Sequence, residues 1–358
     1  MEDNAMRTGK LTVMVLAVGG NVSQGILKAL RRSPLPLRIV GTDVSPDQMG
    51  LYTVDSGHVV PWASDPAFLP EVARICRAEK VDILLTGCEP ILDWLVRNRA
   101  AVEAETGALC PVNAPEVHDI GEDKLLTCQW LLKNGFNAPR FAAVDDPVAV
   151  RAMAKEPGYP LIAKPRRGGG ARGLILVENG DDLEYVLRRP GYLVQECLGD
   201  DDGEYTAGCF CDKNNKVAGS IVMRRHLLAG TTYRAWVEDH PEVRHEAEGI
   251  AAALGTAGPC NIQLRMTPRG PVCFEINPRF SGTTPLRAAF GFNEVEAFLR
   301  HFVLGEPVTL PRVTKGVALR YWNELYVPDA ARQRLVESGR TDGPLSGPDL
   351  VEPYGVLP

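Results

Sequence analysis

Over the first hundred residues, unbroken apolar runs alternate with stretches whose apolar positions recur every three to four residues. Residues 11–18 are apolar throughout, the pattern of a strand buried on both faces of a parallel sheet. Gly19, Gly20 and Asn21 then turn the chain into a helix predicted over 23–32. Residues 38–43 and the short pair 59–60 read as strands, 66–79 as a helix and 83–86 as a strand. Residues 90–105 are helical, with Ile91, Leu92, Leu95 and Val96 along one face. Strands alternating with helices predict a doubly wound parallel sheet. The glycine-rich first turn and Asp43 are placed as in a dinucleotide site. However, Gly19, Gly20 and Gly25 do not form Gly-x-Gly-x-x-Gly, so no such site is assigned. Thr86, Gly87, Cys88 and Glu89 lie where the carboxyl end of a strand would meet a ligand.

The pattern changes at 114–121. A helix is predicted from Asp123–Lys124 to about Asn134, stopped by Gly135. A short strand spans 140–144, and Asp146–Pro147 caps a helix to about Lys155. The strand 161–165 ends in Lys164 and Pro165. Residues 166–173 then hold four glycines and three arginines, and the chain returns at once to a strand, 174–177. Exposed amides and guanidinium groups suit a polyphosphate. A strand–loop–strand order makes this a flap and not a Walker loop, which leads into a helix. A helix over 181–188, a strand over 192–196 and an acidic linker over 199–203 follow. Residues 204–211 and 216–225 form an expected antiparallel pair, 241–254 a helix, and 261–266 a strand hairpinned through Pro268–Gly270 to 272–277. In that last strand Glu275 and Asn277 share a face, and Gln263 is their expected cross-strand neighbour. Two or three oxygen donors on one face suit a hard cation that also holds phosphates. Arg279, just past the strand, suits developing phosphoryl charge. Replacing Glu275 by glutamine is expected to abolish turnover while leaving folding intact or slightly improved.

Composition narrows the class. The 358 residues carry a net charge of −6, with no electrostatic footprint for nucleic acid or an anionic membrane. No apolar run is long enough to span a bilayer, and residues 1–10 do not read as a signal peptide. Nine scattered cysteines without paired Cys-x-x-Cys knuckles read as reduced cytoplasmic thiols.

In this order the motifs resemble the ATP-grasp superfamily, and most closely its carbamoyl-phosphate-synthase-like branch. The resemblance covers about 119–302. It rests on Gly121-Glu122-Asp123-Lys124, Ala163-Lys164-Pro165 with its glycine loop, Gln195-Glu196-Cys197-Leu198-Gly199, Glu204-Tyr205-Thr206, Asn261-Ile262-Gln263 and Phe274-Glu275-Ile276-Asn277-Pro278-Arg279. It implies an α/β chain: a preATP-grasp doubly wound domain over 1–115, a two-lobed α+β ATP-grasp module over 116–196 and 197–305, and an extension over 306–358. It implies an ADP-forming ligase using ATP and Mg²⁺, with Mn²⁺ as the alternative ion. A small carboxylate would be activated as an acylphosphate and joined to an amine or similar nucleophile. Lys124, Lys164, Gly169 and Gly170 would hold phosphates. Gln195, Glu196 and Leu198 would form the adenine hinge, and Glu204 would hold the ribose. Gln263, Glu275 and Asn277 would be the metal ligands, with Lys164 and Arg279 serving catalysis. Gln263 departs from relatives that carry a carboxylate there, which weakens the hold on a second ion. Arg225, His226 and Thr231 to Arg234 fall where relatives line the acceptor site. A homodimer is allowed, and neither nucleic acid nor membrane is expected as a partner. The alternatives are a small-molecule kinase on the same fold and a noncatalytic nucleotide binder.

Overall fold

The computed structural model describes residues 10–199, 203–321 and 323–345. The acidic linker expected at 199–203 therefore lies, at 200–202, outside the described residues, as does the polar start of the chain. Two compact units result. One contains the chain up to Val112, residues 295–307 and the described residues from 323. The other contains 113–294 and 308–321.

In the first unit the chain runs β1 (Leu11–Leu16), α1 (Asn21–Arg31), β2 (Leu37–Asp43), β3 (Ser56–Val59), α2 (Phe68–Glu79), β4 (Ile83–Thr86) and α3 (Glu89–Thr106). β1 is buried at every position, as its apolar run requires. The four strands are parallel in the order β3-β2-β1-β4, so the connections reverse direction between β1 and β4. Phe68, Val72 and Ile75 of α2 pack with Met14, Leu16 and Leu84 in the core. Asp43, weighed above as a ribose acid, is buried, and its carboxylate accepts Gly19 N–H and Val44 N–H at 2.8 Å each. It holds the glycine turn.

The second unit opens with α4 (Pro115–Glu122) and α5 (Lys124–Lys133), then β5 (Phe141–Ala143), α6 (Pro147–Met153), β6 (Leu161–Pro165), β7 (Ile175–Val177), α7 (Gly180–Leu187) and β8 (Tyr192–Glu196). The strands make an antiparallel sheet in the order β5-β8-β6-β7. Asp123, Asp146 and Asn179 cap α5, α6 and α7, each side chain accepting a backbone N–H of the first turn. A larger antiparallel sheet follows from β9 (Glu204–Cys211), β10 (Val217–Leu228), β11 (Thr231–Val237), β12 (Gly258–Thr267), β13 (Gly270–Asn277) and, after α9 (Thr284–Ala289) and α10 (Glu294–Phe298), β14 (Gly316–Leu319). Its order is β13-β12-β9-β10-β11-β14. The helix between β11 and β12, α8 (Pro241–Leu254), covers one face, where Val243, Ala247 and Ile250 meet Ala207, Cys209, Ile262 and Ile276. Alternation leaves the polar residues of these strands on the opposite face.

The C-terminal part of the chain adds α11 (Asp329–Ser338) and β15 (Arg340–Thr341), which pairs antiparallel with β3 and places Arg340 opposite His58. The sequence pattern does not predict β11, β14, β15 or the helices after β13. β10 also runs three residues beyond its expected end.

Candidate active site

Lys124 begins α5, and its ammonium donates to the Gly168 carbonyl of the glycine loop. Its neighbour Asp123 does two jobs. One carboxylate oxygen accepts Leu125 N–H as the helix cap, and both oxygens receive Arg166, at 3.1 and 2.6 Å. Burial raises the Asp123 carboxyl, but the Arg166 guanidinium outweighs this and holds it below the usual range. Lys124 N–H also donates to Arg166 O at 2.9 Å. The loop is thus tied at its first residues to the start of α5.

β6 and β7 pair antiparallel from Leu161↔Val177 to Ala163↔Ile175, the flap topology expected from sequence. Gly168, Gly170 and Gly173 take positive φ of 91°, 70° and 73°, where a Cβ would strain the backbone. Gly169 does not. Lys164 leaves the end of β6 with its ammonium 5.5 Å from the Phe274 ring centroid. Burial pulls its pKa below the ordinary lysine range. The Glu275 carboxylate opposes that shift, and the Lys124 ammonium adds to it.

Across the site, β12 and β13 pair in the register expected from sequence, Gln263↔Glu275 and Asn261↔Asn277. Glu275 accepts Gln263 Nε2–H at 3.0 Å and Asn277 Nδ2–H at 2.9 Å. Burial alone would raise its pKa. Lys124, then Lys164, then the Asn277 amide and Arg225 overcome that and hold it below the usual carboxylate range. The amide oxygens face arginines. Arg225 Nη2–H donates to Gln263 Oε1 at 2.6 Å, and Arg279 Nη2–H to Asn277 Oδ1 at 2.9 Å.

One carboxylate and two amide oxygens are hard donors, suited to a cation that keeps waters and shares phosphates. Among the described residues, no group of three or more His, Cys, Asp and Glu could hold a metal alone. The three residues therefore fit an ion completed by phosphates, with the two amide oxygens shared with or released by their arginines.

Glu204, at the start of β9, is buried between arginines. Arg225 donates to Oε1 through Nε and Nη2, at 3.0 and 2.8 Å, and Arg265 to Oε2 at 2.6 Å. A ribose would meet a carboxylate already engaged on both oxygens. Of the residues expected to border the adenine, Gln195 Nε2–H donates to Cys128 Sγ at 3.0 Å, Glu196 Oε1 accepts Arg140 N–H at 2.9 Å, and Leu198 is half-buried.

Strand alternation divides the residues expected at the acceptor side. Arg225 points to the polar face with buried Thr232, into which it donates at 3.3 Å. His226 turns to the other face and meets Trp236 edge-on at 4.9 Å. Arg234 stands opposite His226 in the β10–β11 register, on that same outer face.

Sequence reasoning missed Arg287 on α9. It is fully buried, pairs with Glu294 at 3.2 Å and donates to Asn261 Oδ1. Its guanidinium lies against Gly208, where an added Cβ would come within 2.5 Å. An arginine in an otherwise apolar helical run gives no sequence sign of such a role. Arg166 reads in the sequence only as loop charge, because its partner Asp123 lies 43 residues away.

Two lobes of antiparallel sheet whose lysines, glycine loop and carboxylate–amide strand meet on one polar face define the ATP-grasp fold. The chain carries an ATP-grasp domain: residues 188–325 match the family described as "ATP-grasp in the biosynthetic pathway with Ter operon". It is similar to the carbamoyl phosphate synthase large chain of Mycobacterium tuberculosis, with 27% identity over 197 residues, 51% of this chain and 18% of that one. The large chain of Pseudomonas syringae is 27% identical over 244 residues, 62% of this chain and 22% of that one. The chain thus spans roughly a fifth of the length of these curated relatives. Among solved structures it resembles N5-carboxyaminoimidazole ribonucleotide synthetase of Thermus thermophilus, with a TM-score of 0.66 and 19% identity over 83% of this chain and 79% of that one. The ADP complex of the Staphylococcus aureus synthetase gives 0.68 and 16%, over 86% and 81%. Campylobacter jejuni biotin carboxylase gives 0.65 and 19%, over 83% and 71%. At these identities the structural likeness establishes the fold.

Proposed function

We propose that this protein is an ATP-dependent, ADP-forming ligase that activates a small carboxylate and joins it to an amine or similar nucleophile. One observation carries the reading: lysines from α5 and β6 act on the single carboxylate of β13, Glu275, which two amides also bond. Such a cluster is built to exchange its internal partners for the phosphates of a nucleotide. Lys164 and Lys124 would move to phosphate oxygens, joined by the loop amides at Gly169 and Gly170. Gln195, Glu196 and Leu198 would border the base, and Glu204 the ribose. Mg²⁺ or Mn²⁺ would be held by Glu275, Asn277 and Gln263 beside the phosphates, and supplies neutralisation of their charge. Arg279 would stabilise the charge on the transferred group.

In the first step a carboxylate oxygen attacks the γ-phosphorus, the bond to the β–γ bridging oxygen breaks, and ADP leaves. In the second the amine nitrogen attacks the acyl carbon. Phosphate departs with the electron pair of its bond to carbon and takes up the amine proton. The protein's share is positioning and electrostatics.

The structural relatives support this reading, since synthetases and carboxylases among them were solved with ADP or ATP bound. The biotin carboxylase domain dimer of Hydrogenobacter thermophilus 2-oxoglutarate carboxylase supports a homodimer. All nine cysteines are free, which supports a reducing, cytoplasmic location. No helix among the described residues is long and apolar enough to cross a membrane.

A screen of carboxylates with hydroxylamine tests the proposal. A ligase releases ADP only with its carboxylate and yields a hydroxamate. ADP release without hydroxamate would mean a kinase, and no release with any carboxylate would leave only nucleotide binding.

A further inference from the structure

The end of β14 reaches the residues that follow β13. Arg320 follows β14 directly. Its N–H donates to Tyr233 O at 2.9 Å, so it continues the β11–β14 ladder. In that ladder Ala318 pairs with Ala235, which pairs in turn with Arg225. Residues two apart share a face, so Arg320 stands on the face of Arg225, Gln263 and Glu275. Its Nη2–H donates to the Gly282 carbonyl.

Four other cations of this face have carboxylates. Lys124 and Lys164 share Glu275, and Arg225 and Arg265 share Glu204. Arg320 has a carbonyl only. Among the described residues no carboxylate pairs with it, and burial draws its pKa below the ordinary arginine range with no charge to offset the loss of water. A half-buried guanidinium of this kind is costly unless an anion arrives to pair with it. Gly282 is three residues beyond Arg279, which puts Arg320's anchor within about 11 Å of the backbone of that arginine. That is the length of a small metabolite.

We propose that Arg320 anchors a carboxylate of the small-molecule substrate, remote from its reacting group, so that the substrate is an amino acid or dicarboxylate. This rests on the ligase reading and deepens it. The planar fork of arginine matches a carboxylate through two parallel hydrogen bonds.

The test uses the full chain loaded with Mg²⁺ and ADP. Free α-amino acids and short dicarboxylates, each beside its carboxamide, are titrated by calorimetry into the parent and into Arg320→Met. The expected result is that one acid binds the parent on the order of 10- to 100-fold more tightly than its amide, the size of a lost charge-assisted pair. Arg320→Met should erase that preference while keeping ADP affinity and a melting temperature at or above the parent's. Equal binding of the acid to both proteins overturns the inference and leaves the ligase reading standing. So does the absence of any binding acid when the parent binds ADP. A variant that melts well below the parent makes Arg320 a structural prop, which also overturns it. Failure of the parent to bind ADP removes the ligase reading, and the inference with it.

Discussion

Glu275→Gln separates a carboxylate that serves a ligand from one that merely lines a strand. Glutamine keeps the shape and can still accept from Gln263 and Asn277, so no hydrogen bond need be lost. What goes is the charge that Lys124 and Lys164 face. Fully buried, such a loss costs about 3–5 kcal/mol. Glu275 keeps partial contact with solvent, so about 1–3 kcal/mol is the reasonable range after screening. For a unit of this size that lowers the melting temperature by about 2–10 °C. This reverses the sequence-based expectation of unchanged or improved stability, which assumed oxygens waiting for a cation. The cations are already there, contributed by the protein. The sign with pH follows. Glu275 titrates below an ordinary carboxyl group, so its stabilisation is full above the unfolded pKa and is lost as pH falls through the folded one. The destabilisation by Glu275→Gln should therefore shrink toward acid pH. Turnover should fall by about 10²-fold or more if the carboxylate acts on the transferring phosphoryl group. Scanning calorimetry at pH 7 and pH 4, with ADP release, measures all three. A variant as stable as the parent at pH 7 and nearly as active would refute the reasoning.

Lys164→Ala should weaken ATP binding by about 1.5–3 kcal/mol, roughly a 10- to 100-fold rise in Kd. Unchanged affinity by calorimetry would remove Lys164 from the nucleotide site. Gly208→Ala should destabilise the second unit by about 1–3 kcal/mol, since its Cβ would press on the fully buried Arg287 guanidinium, which Glu294 and Asn261 hold. Wild-type denaturant midpoints would contradict this. His58 is buried beside Glu79 and Ser56, with Arg38 and Arg340 on Glu79, and Arg74 nearby. Burial lowers its pKa although Glu79 opposes the shift, so the folded state favours neutral imidazole. The parent should hold its full stability above the unfolded histidine pKa of about 6.5 and lose part of it as pH falls below that value. In His58→Gln that component of the pH dependence should vanish, and its persistence would show that another group titrates.

The sequence revealed the site's local geometry better than its distant partners. A Pro-Arg-Gly turn and a two-residue alternation place Gln263 opposite Glu275 in the sequence, and the structure reaches the same pair through a tighter turn, Thr267↔Gly270, and a β-bulge between Gln263 and Leu264. Asp123 and Asp146 announce helix starts for the same local reason. The pairs that join distant segments had no local sign. Arg166 to Asp123 spans 43 residues, Arg287 to Asn261 spans 26, and Arg320 to Gly282 spans 38. β14 was missed because 316–319 is a short apolar stretch amid prolines and exposed residues. Only its pairing with β11 makes it a strand. Glu204 shows the same limit. Its position in the motif suggests a ribose acid, while the two arginines on it come from β10 and β12.

Those partners explain how the polar face tolerates its own charge. A cluster of cations gathered for phosphates would repel itself in their absence. Here two buried or half-buried carboxylates occupy the places where repulsion would be greatest: Glu275 among the lysines, Glu204 between Arg225 and Arg265. Arg225 links the two groups, since it also bonds Gln263, which bonds Glu275. A nucleotide arriving with its metal would therefore exchange partners within an existing network, gaining contacts as internal ones are released. Affinity then depends on the difference between two satisfied states, not on the full strength of each new contact. It follows that Arg265→Met, which removes the guanidinium bonded to Glu204 Oε2 and to Gly199 O, should free one oxygen of Glu204. If Glu204 serves the ribose, this variant should bind ATP at least as tightly as the parent while losing stability. Weaker binding in calorimetry, beside an unchanged melting temperature, would mean that Arg265 itself meets the nucleotide.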